Sequence, residues 1–227
     1  MKLLAIETAT AVCGVALTEH NQLAAELRVQ QKNAHNEKLV VAIDYLVKQI
    51  NWRLEELDGI ALSIGPGSFT GLRIGISVAK GLAFTLEKPL AAVNTLDAMA
   101  HGARFWSGRI AAVIKARTEE GYFALYESKR GEVKLISNYQ ILSIAAVSEH
   151  ITSDTLVLAH PRELCAEVVS GTGWLAPLEY PLLDALTIAQ MGYAKLQNGE
   201  TENLAAVEPF YLKQFEPKQK VYRYETK

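Results

Sequence analysis

The sequence predicts an α/β protein of two lobes, each a mixed sheet flanked by helices. First, a glycine-rich turn at residues 63–75 stands between a short apolar run and a long helix-competent one. Second, a three-strand pattern over residues 3–29 starts again near residue 104. Third, hydrophobic residues make up 49% of the 227 residues and charged residues 21%, which permits a sizeable core.

Apolar runs with short polar links open the first half and predict a three-stranded antiparallel meander. Its strands are predicted over residues 3–8, 12–18 and 22–29. From Asn36 to Ile50 the apolar residues recur every three or four positions, which indicates an amphipathic helix. A strand, a helix, a strand and a short helix are then predicted over residues 58–64, 72–86, 90–94 and 95–102.

The second half starts with three more predicted strands, over residues 109–115, 121–127 and 133–137. A helix, a strand and two helices follow over residues 142–150, 155–158, 161–170 and 185–197, the last capped by Asp184. The repeat is one of pattern and not of sequence. We therefore predict lobes over residues 1–103 and 104–207, followed by a segment with a polar tail over residues 208–227.

The most specific stretch is Ser63-Ile64-Gly65-Pro66-Gly67-Ser68-Phe69-Thr70-Gly71-Leu72-Arg73-Ile74-Gly75. Its glycines permit backbone conformations that are closed to other residues. A turn of this kind at a helix N-terminus offers N–H groups to a phosphate. It lacks the Lys of a Walker loop and the glycine spacing of a dinucleotide fingerprint. A purely structural turn and an anion site therefore both stay open.

The run from Gly65 to Gly75 resembles the Gly-Pro-Gly-Ser-Phe-Thr-Gly-Leu-Arg-Ile-Gly segment of the bacterial TsaB family, also called YeaZ. The resemblance covers most of residues 3–95 and continues more weakly to residues 209–212. It implies a subunit of the machinery that makes threonylcarbamoyladenosine (t6A) in tRNA. It also implies the two-lobed actin-like or Hsp70-like (ASKHA) fold, whose lobes have the element order predicted above.

The resemblance further implies partners and no cofactor. The catalytic subunit would be TsaD, which transfers a threonylcarbamoyl group to adenosine 37 of tRNAs reading codons that begin with A. This chain would be a non-catalytic subunit that binds TsaD and forms a homodimer when TsaD is absent. It would reach tRNA through the complex. An ATPase, TsaE, would join at the junction of TsaB and TsaD.

The alternative functions are a small-molecule kinase and a peptidase of the same superfamily. The first hairpin of that superfamily carries Asp-x-Gly-Thr, which organises Mg²⁺ and cups phosphate, whereas Glu7 and Ala9 stand here. Glu7 is interpreted as a ligand of a hydrated metal or as a solvent-facing carboxylate. We expect weak or absent ATP binding. The candidates for a vestigial phosphate or nucleotide site are Glu7, Thr8, Thr10, Gly67 and Ser68.

No catalytic residue and no metal site are predicted. TsaD carries a His-x-x-x-His pair after its own Gly-Pro-Gly segment, and the corresponding residues 93–98 contain no His. The missing pair argues against a metallopeptidase. His35 and Glu37 match a family motif, as does Arg73. Because His35 and Glu37 stand two positions apart, they do not share a helix face, and we interpret them as a polar helix start.

The helix over residues 72–86 is apolar almost all round, which indicates cover on two sides. Its own sheet is predicted to cover one face. Since Gly71 and Gly75 lie one turn apart, we expect a partner helix to approach them closely. The alternative is that the second lobe or the C-terminal segment covers this face. The predicted partner interface consists of Val41, Tyr45, Gly71, Gly75, Val78 and Leu82.

The formal net charge of −2 provides no overall field for nucleic acid, so any RNA contact needs a local patch or a partner. Cys13 and Cys165 stand far apart with no metal-ligand spacing, which fits a reducing compartment. The N-terminal apolar run is too short for a signal peptide, and no stretch is long enough to span a membrane. We therefore predict a cytoplasmic protein without membrane contact.

Overall fold

A computed structural model of the chain describes residues 1–31, 34–161, 163–164, 173–176 and 183–212. Two mixed sheets with flanking helices make up this part of the chain, so the predicted α/β class is confirmed. None of the helices described combines the length and the apolar character needed to cross a membrane. Cys165 and residues 213–227 of the predicted tail lie outside the described residues.

The first sheet confirms the predicted meander. Its strands are β1 (Lys2–Glu7), β2 (Val12–Glu19), β3 (Gln22–Gln30), β4 (Gly59–Gly65) and β5 (Leu90–Asn94). Their order in the sheet is β3-β2-β1-β4-β5. The β1–β2 and β2–β3 pairs are antiparallel, whereas β1–β4 and β4–β5 are parallel. The carboxyl ends of β1, β4 and β5 therefore meet at one edge, where the glycine-rich turn lies.

The second sheet repeats this arrangement. Its strands are β6 (Gly108–Lys115), β7 (Glu120–Lys129), β8 (Glu132–Leu135), β9 (Gln140–Ser143), β10 (Thr155–His160) and β11 (Trp174–Leu175). Written from the opposite edge, the order β8-β7-β6-β10-β11 matches the order β3-β2-β1-β4-β5 of the first sheet strand for strand, and β9 pairs with β7 as an addition. The repeat of pattern predicted from sequence is therefore a repeat of topology. Strands β9 and β11 are not predicted from the sequence.

Five α-helices are described, together with two short 3₁₀ turns. They are α1 (Ala34–Gln49), α2 (Phe69–Thr85), α3 (Thr95–Gly102), α4 (Ile144–Val147) and α5 (Ala185–Gln197). The helix predicted over residues 142–150 is wrong at its start, because residues 140–143 pair with β7. The helix predicted over residues 161–170 lies largely outside the described residues. Asp184 caps α5 as predicted, since its carboxylate accepts a hydrogen bond from Thr187 N at 2.6 Å.

The first sheet carries large side chains on one face and small ones on the other. Leu4 and Ile6 pack beneath α1 and α2 in one core cluster. Ala5 and Ala61 belong to a second cluster with α5. A Cβ on Gly192 of α5 would collide with the Ala61 side chain, so this helix approaches the sheet closely. By its contacts α5 lies with the first sheet, although the predicted 104–207 lobe contains it.

Helix α3 joins the two lobes through one carboxylate. Asp97 of α3 accepts hydrogen bonds from the hydroxyls of Tyr126 and Tyr139, both at 2.8 Å, and both tyrosines belong to the second half of the chain. Burial and the neighbouring Asp97 charge raise the pKa of each phenol above its ordinary value. Both tyrosines therefore stay neutral donors. We call Asp97, Tyr126 and Tyr139 the Asp97 cluster, and its hydrogen bonds fix α3 against the second sheet.

Candidate functional site

The β1–β2 hairpin and the glycine-rich turn, which contain the candidates for a vestigial phosphate site, lie directly against each other. The carbonyl of Ala9 accepts a hydrogen bond from Ser68 N at 2.7 Å. A Cβ on Gly67 would collide with this carbonyl, and one on Gly71 with the carbonyl of Thr8. The glycines are therefore required for close approach of the protein's own hairpin. The hairpin backbone at Thr8 and Ala9 therefore lies against Gly67, Ser68 and Gly71, and Thr10 is buried in the same hairpin.

Two N–H groups at the start of α2, those of Ser68 and Gly71, are engaged by oxygens of the protein itself. Ser68 caps the helix, because its hydroxyl accepts from Gly71 N at 3.2 Å. Ser68 N donates to Ala9 O, as described above. A helix N-terminus binds phosphate through donors that are not already used. Because these donors are already used, the glycine-rich turn is better explained as a purely structural turn than as an anion site.

Glu7 is fully buried, so its interpretation as a solvent-facing carboxylate is wrong. One carboxylate oxygen accepts a hydrogen bond from Ala9 N at 2.6 Å and holds the hairpin turn. The other oxygen, Oε2, is buried without a hydrogen-bond partner among the described residues. Burial raises the pKa of Glu7 to about 7, against the lowering effect of hydrogen bonds from Ser63 and from the Ala9 and Thr10 backbone.

The cover over Glu7 comes from a segment far away in sequence. A Cβ on Gly14 would stand 3.3 Å from the Glu7 Cβ and 3.5 Å from the Ala185 Cβ. The start of α5 therefore closes over this end of β1. Asp184, the cap of α5, raises the Glu7 pKa further through charge repulsion. Among the described residues no cluster of three or more His, Cys, Asp and Glu side chains is placed to hold a metal ion.

The family-motif residues lie at separate places. His35 is half-buried near the start of α1, and its Nε2 lies 3.2 Å from the carbonyl of Val12. Glu37 is exposed in the first turn of the same helix. The Arg73 guanidinium stands 4.0 Å from the centre of the Phe69 ring, and its Nε donates to Tyr211 Oη at 3.3 Å. Arg73 therefore ties α2 to the C-terminal segment.

Residues 93–98 form the end of β5 and the first turn of α3. Asn94 caps the helix, with its side-chain oxygen accepting from Leu96 N at 2.9 Å and from Asp97 N at 3.4 Å. The Asp97 carboxylate is occupied by the two tyrosine hydroxyls. The polar side chains of Asn94 and Asp97 thus serve internal contacts.

The six predicted interface residues divide into three groups. Val41 and Tyr45 of α1 are 61% and 50% exposed. Val78 and Leu82 are half-buried and pack against the core beneath α1 and α2. Gly71 and Gly75 are buried, and a Cβ on either would collide with Thr8. The prediction that a partner helix packs on these two glycines is therefore wrong, because the chain's own hairpin occupies that side.

The outward side of α2 carries different residues. Phe84 is 78% exposed, and a Cβ on Gly81 would meet no atom within 4 Å. Helices α1 and α2 contact each other. We call the resulting surface the outer helix face, formed by Val40, Val41, Tyr45, Gly81 and Phe84. Sequence reasoning missed Val40, Gly81 and Phe84, although they lie outside the buried stripes of their helices, which contain Leu39, Ile43, Ile76 and Ala83.

Comparison with known proteins places the chain among tRNA-modification proteins. The profile of the TsaD family, described as tRNA N6-adenosine threonylcarbamoyltransferase, matches residues 23–221. The tRNA threonylcarbamoyladenosine biosynthesis protein TsaB of Escherichia coli K12 is 34% identical over 179 residues, 78% of this chain and 73% of that protein. TsaB of Bacillus subtilis 168 is 30% identical over 172 residues, 74% of this chain and 75% of that protein.

Solved structures agree with this placement. YeaZ from Pseudomonas aeruginosa superposes with a TM-score of 0.79 at 27% identity, over 92% of this chain and 100% of that one. The ROK hexokinase of Thermus thermophilus, at a TM-score of 0.52 and 10% identity, shares the fold alone. The predicted two-lobed ASKHA fold is thereby confirmed. The chain belongs to the family that the TsaD profile describes, and within it to the TsaB (YeaZ) proteins of tRNA threonylcarbamoyladenosine biosynthesis.

Proposed function

We propose that this chain is the non-catalytic subunit of a t6A-forming complex in the cytoplasm. It binds a TsaD-type catalytic subunit, is joined by a TsaE-type ATPase, and supports threonylcarbamoyl transfer to adenosine 37 of tRNAs reading codons that begin with A. The observation that carries the proposal is the outer helix face, where large apolar side chains on two adjacent helices stand in solvent. Exposed apolar patches of this kind mark protein interfaces.

Similarity between this chain and the TsaD family supports the choice of partner. The TsaD profile matches residues 23–221 of this chain, a range that contains α1 and α2. A TsaD-type protein therefore has a corresponding helix pair, and two such pairs form a four-helix contact of the common kind. The same reasoning supports a homodimer when the catalytic subunit is absent, since a second copy presents an identical face.

Two features of the first lobe support a non-catalytic role. Residues 93–98 contain a helix cap and the Asp97 cluster where TsaD has its His pair. The Ala9 carbonyl lies against Gly67 and Ser68, in the space that a phosphate would need between hairpin and turn. The second feature also disfavours the small-molecule kinase, so we expect calorimetry with ATP and Mg²⁺ to give no micromolar binding.

Introducing a negative charge on the outer helix face tests the proposal. In Val41→Glu and Phe84→Glu, a carboxylate replaces an exposed apolar side chain, so we expect circular dichroism and the melting temperature to stay close to wild type. Binding to the catalytic subunit should fall at least a hundredfold, because a buried unpaired charge costs roughly 3–5 kcal/mol. Affinity is measured by pull-down and calorimetry, and self-association by size-exclusion chromatography.

Phe105→Glu is the matched control, because Phe105 is 65% exposed but lies outside the outer helix face. This variant should bind the catalytic subunit like wild type. Folded Val41→Glu and Phe84→Glu proteins that keep wild-type affinity would place the interface elsewhere and contradict the proposal.

A further inference from the structure

A cleft lies between the two lobes, beside the glycine-rich turn. Its volume is about 440 Å³, within the range of sites that hold small ligands or single groups of larger ones. Ser68 and Phe69 line it from the first lobe, and Lys115, Arg117 and Tyr122 line it from the second. Tyr211 of the C-terminal segment completes the wall.

The cleft is positively charged. Lys115 and Arg117 stand two positions apart at the end of β6 and are exposed, and neither forms an ion pair with a described residue. Glu120 is the one carboxylate among the residues that line the described cleft. Arg73 adds a further positive charge behind Phe69. The excess of positive over negative side chains at the cleft favours an anionic ligand, although the chain as a whole carries a net charge of −2.

Aromatic rings lie beside these cations. The rings of Phe69 and Tyr211 are stacked with centroids 5.6 Å apart, and they are 41% and 37% exposed. Tyr122 stands half-buried on the opposite side. Cations that follow a backbone and rings on which bases stack are the two elements of single-stranded nucleic acid binding.

The position of the cleft cations favours an RNA strand over a free nucleotide as the ligand. A free nucleotide needs an enclosed cradle for its phosphates, and the Ala9 carbonyl already occupies that place between hairpin and turn. Lys115 and Arg117 instead hold their charges at the exposed rim. Unstacked nucleotides of RNA loops and ends are recognised at surfaces of this kind.

We propose that the interlobe cleft binds an unstacked nucleotide of tRNA, with its phosphate on Lys115 and Arg117 and its base on the Tyr122 and Tyr211 side. This chain then touches tRNA directly, in addition to binding the catalytic subunit. The inference rests on the proposed function, because tRNA is the substrate of that complex.

The test compares tRNA binding by two double variants of the full chain. Lys115→Ala/Arg117→Ala removes the cleft cations, and Lys129→Ala/Lys134→Ala removes two exposed lysines of the β7–β8 hairpin. A tRNA transcript reading codons that begin with A is the probe, followed by fluorescence anisotropy at several salt concentrations. We expect the cleft variant to lose about tenfold in affinity and about two units of salt slope, whereas the hairpin variant stays like wild type.

Photocrosslinking supplies an independent readout. With 4-thiouridine in the tRNA, crosslinked peptides should map to residues 67–73 or 115–122, both in the isolated chain and in the complex with the catalytic subunit. Equal affinities of the two double variants, crosslinks elsewhere, or tight binding of free AMP in place of tRNA would each overturn the inference. Pull-down of the catalytic subunit by the cleft variant is measured in parallel, so failure here stays distinct from failure of the proposed function.

Discussion

At the scale of single residues, Glu7 is unusual because its carboxyl group is shielded from solvent. Its carboxyl is fully buried beneath the start of α5, and one oxygen has no hydrogen-bond partner among the described residues. Burial favours the protonated form, since a buried charge without a counter-ion is costly. The carboxyl that a kinase would use for Mg²⁺ therefore serves here to hold the hairpin turn through Ala9 N.

The raised pKa of Glu7 predicts a specific pH dependence of stability. The folded state binds this proton with a pKa of about 7 and the unfolded state with about 4.5, so the stabilising effect is complete below pH 4.5. It is lost as the pH rises through about 7, at a cost of about 3 kcal/mol. Glu7→Gln stays neutral, so we expect it to equal wild type near pH 4 and to exceed it in stability at pH 8.

Urea denaturation between pH 4 and pH 8.5 measures this difference. Glu119→Gln changes an exposed carboxyl and serves as the control, which should follow the wild-type curve. If the Glu7→Gln and wild-type curves run parallel over the whole range, Glu7 does not titrate in this window and the account of its burial is wrong.

At the scale of elements, α2 has two glycine environments that the sequence does not distinguish. Gly71 packs its Cα against the Thr8 carbonyl, whereas Gly81 faces open space. Alanine at position 71 would collide with backbone, which cannot move cheaply. At position 81, alanine only adds helix propensity.

Opposite effects of the same substitution are therefore predicted at the two positions. We expect Gly71→Ala to lower the free energy of unfolding by about 2 kcal/mol or more, through displacement of the hairpin. Gly81→Ala should raise it by up to about 1 kcal/mol. Thermal and urea denaturation measure both, and a Gly71→Ala protein as stable as wild type would contradict the close approach of hairpin and turn.

The same helix shows how far the sequence predicts this molecule. The apolar period located α1 and α2, and it identified the buried residues Leu39, Ile43, Ile76 and Ala83. It did not reveal which glycines face the hairpin, because a period places residues on a helix but does not say what lies opposite. The burial of Glu7 by α5 likewise depends on residues about 180 positions away. Strand β9 replaced part of a predicted helix because pairing with β7 outweighed a helical pattern.

At the scale of the whole molecule, one core cluster runs through both lobes. It includes Ala5 and Ala61 of the first sheet, α3 and α5, and Ile110 and Tyr126 of the second sheet. The Asp97 cluster adds a hydrogen-bonded link between the lobes. We therefore expect the two lobes to unfold in one cooperative transition.

Removal of the Asp97 carboxylate tests how much this hydrogen-bonded link between the lobes contributes to stability. Asp97→Ala leaves two phenol hydroxyls without their acceptor, so we expect a loss of about 3 kcal/mol in unfolding free energy, with about 1 kcal/mol for Tyr139→Phe. Asp44→Ala is the control, because Asp44 and its partner Lys48 are 60% and 70% exposed and such a pair contributes little. An Asp97→Ala protein within 0.5 kcal/mol of wild type, taken as roughly the size of a surface effect, would contradict the role of the cluster.

The central claim is that this chain supports catalysis by a partner without carrying it out. The most direct measurement is a reconstituted assay of t6A formation on a tRNA transcript, with threonylcarbamoyl-adenylate, a TsaD-type subunit and a TsaE-type ATPase with ATP. We expect modification when this chain is present, no modification by this chain alone, and loss of modification with the Val41→Glu or Phe84→Glu variant. Transfer by the isolated chain, or full activity of the other subunits without it, would contradict the claim.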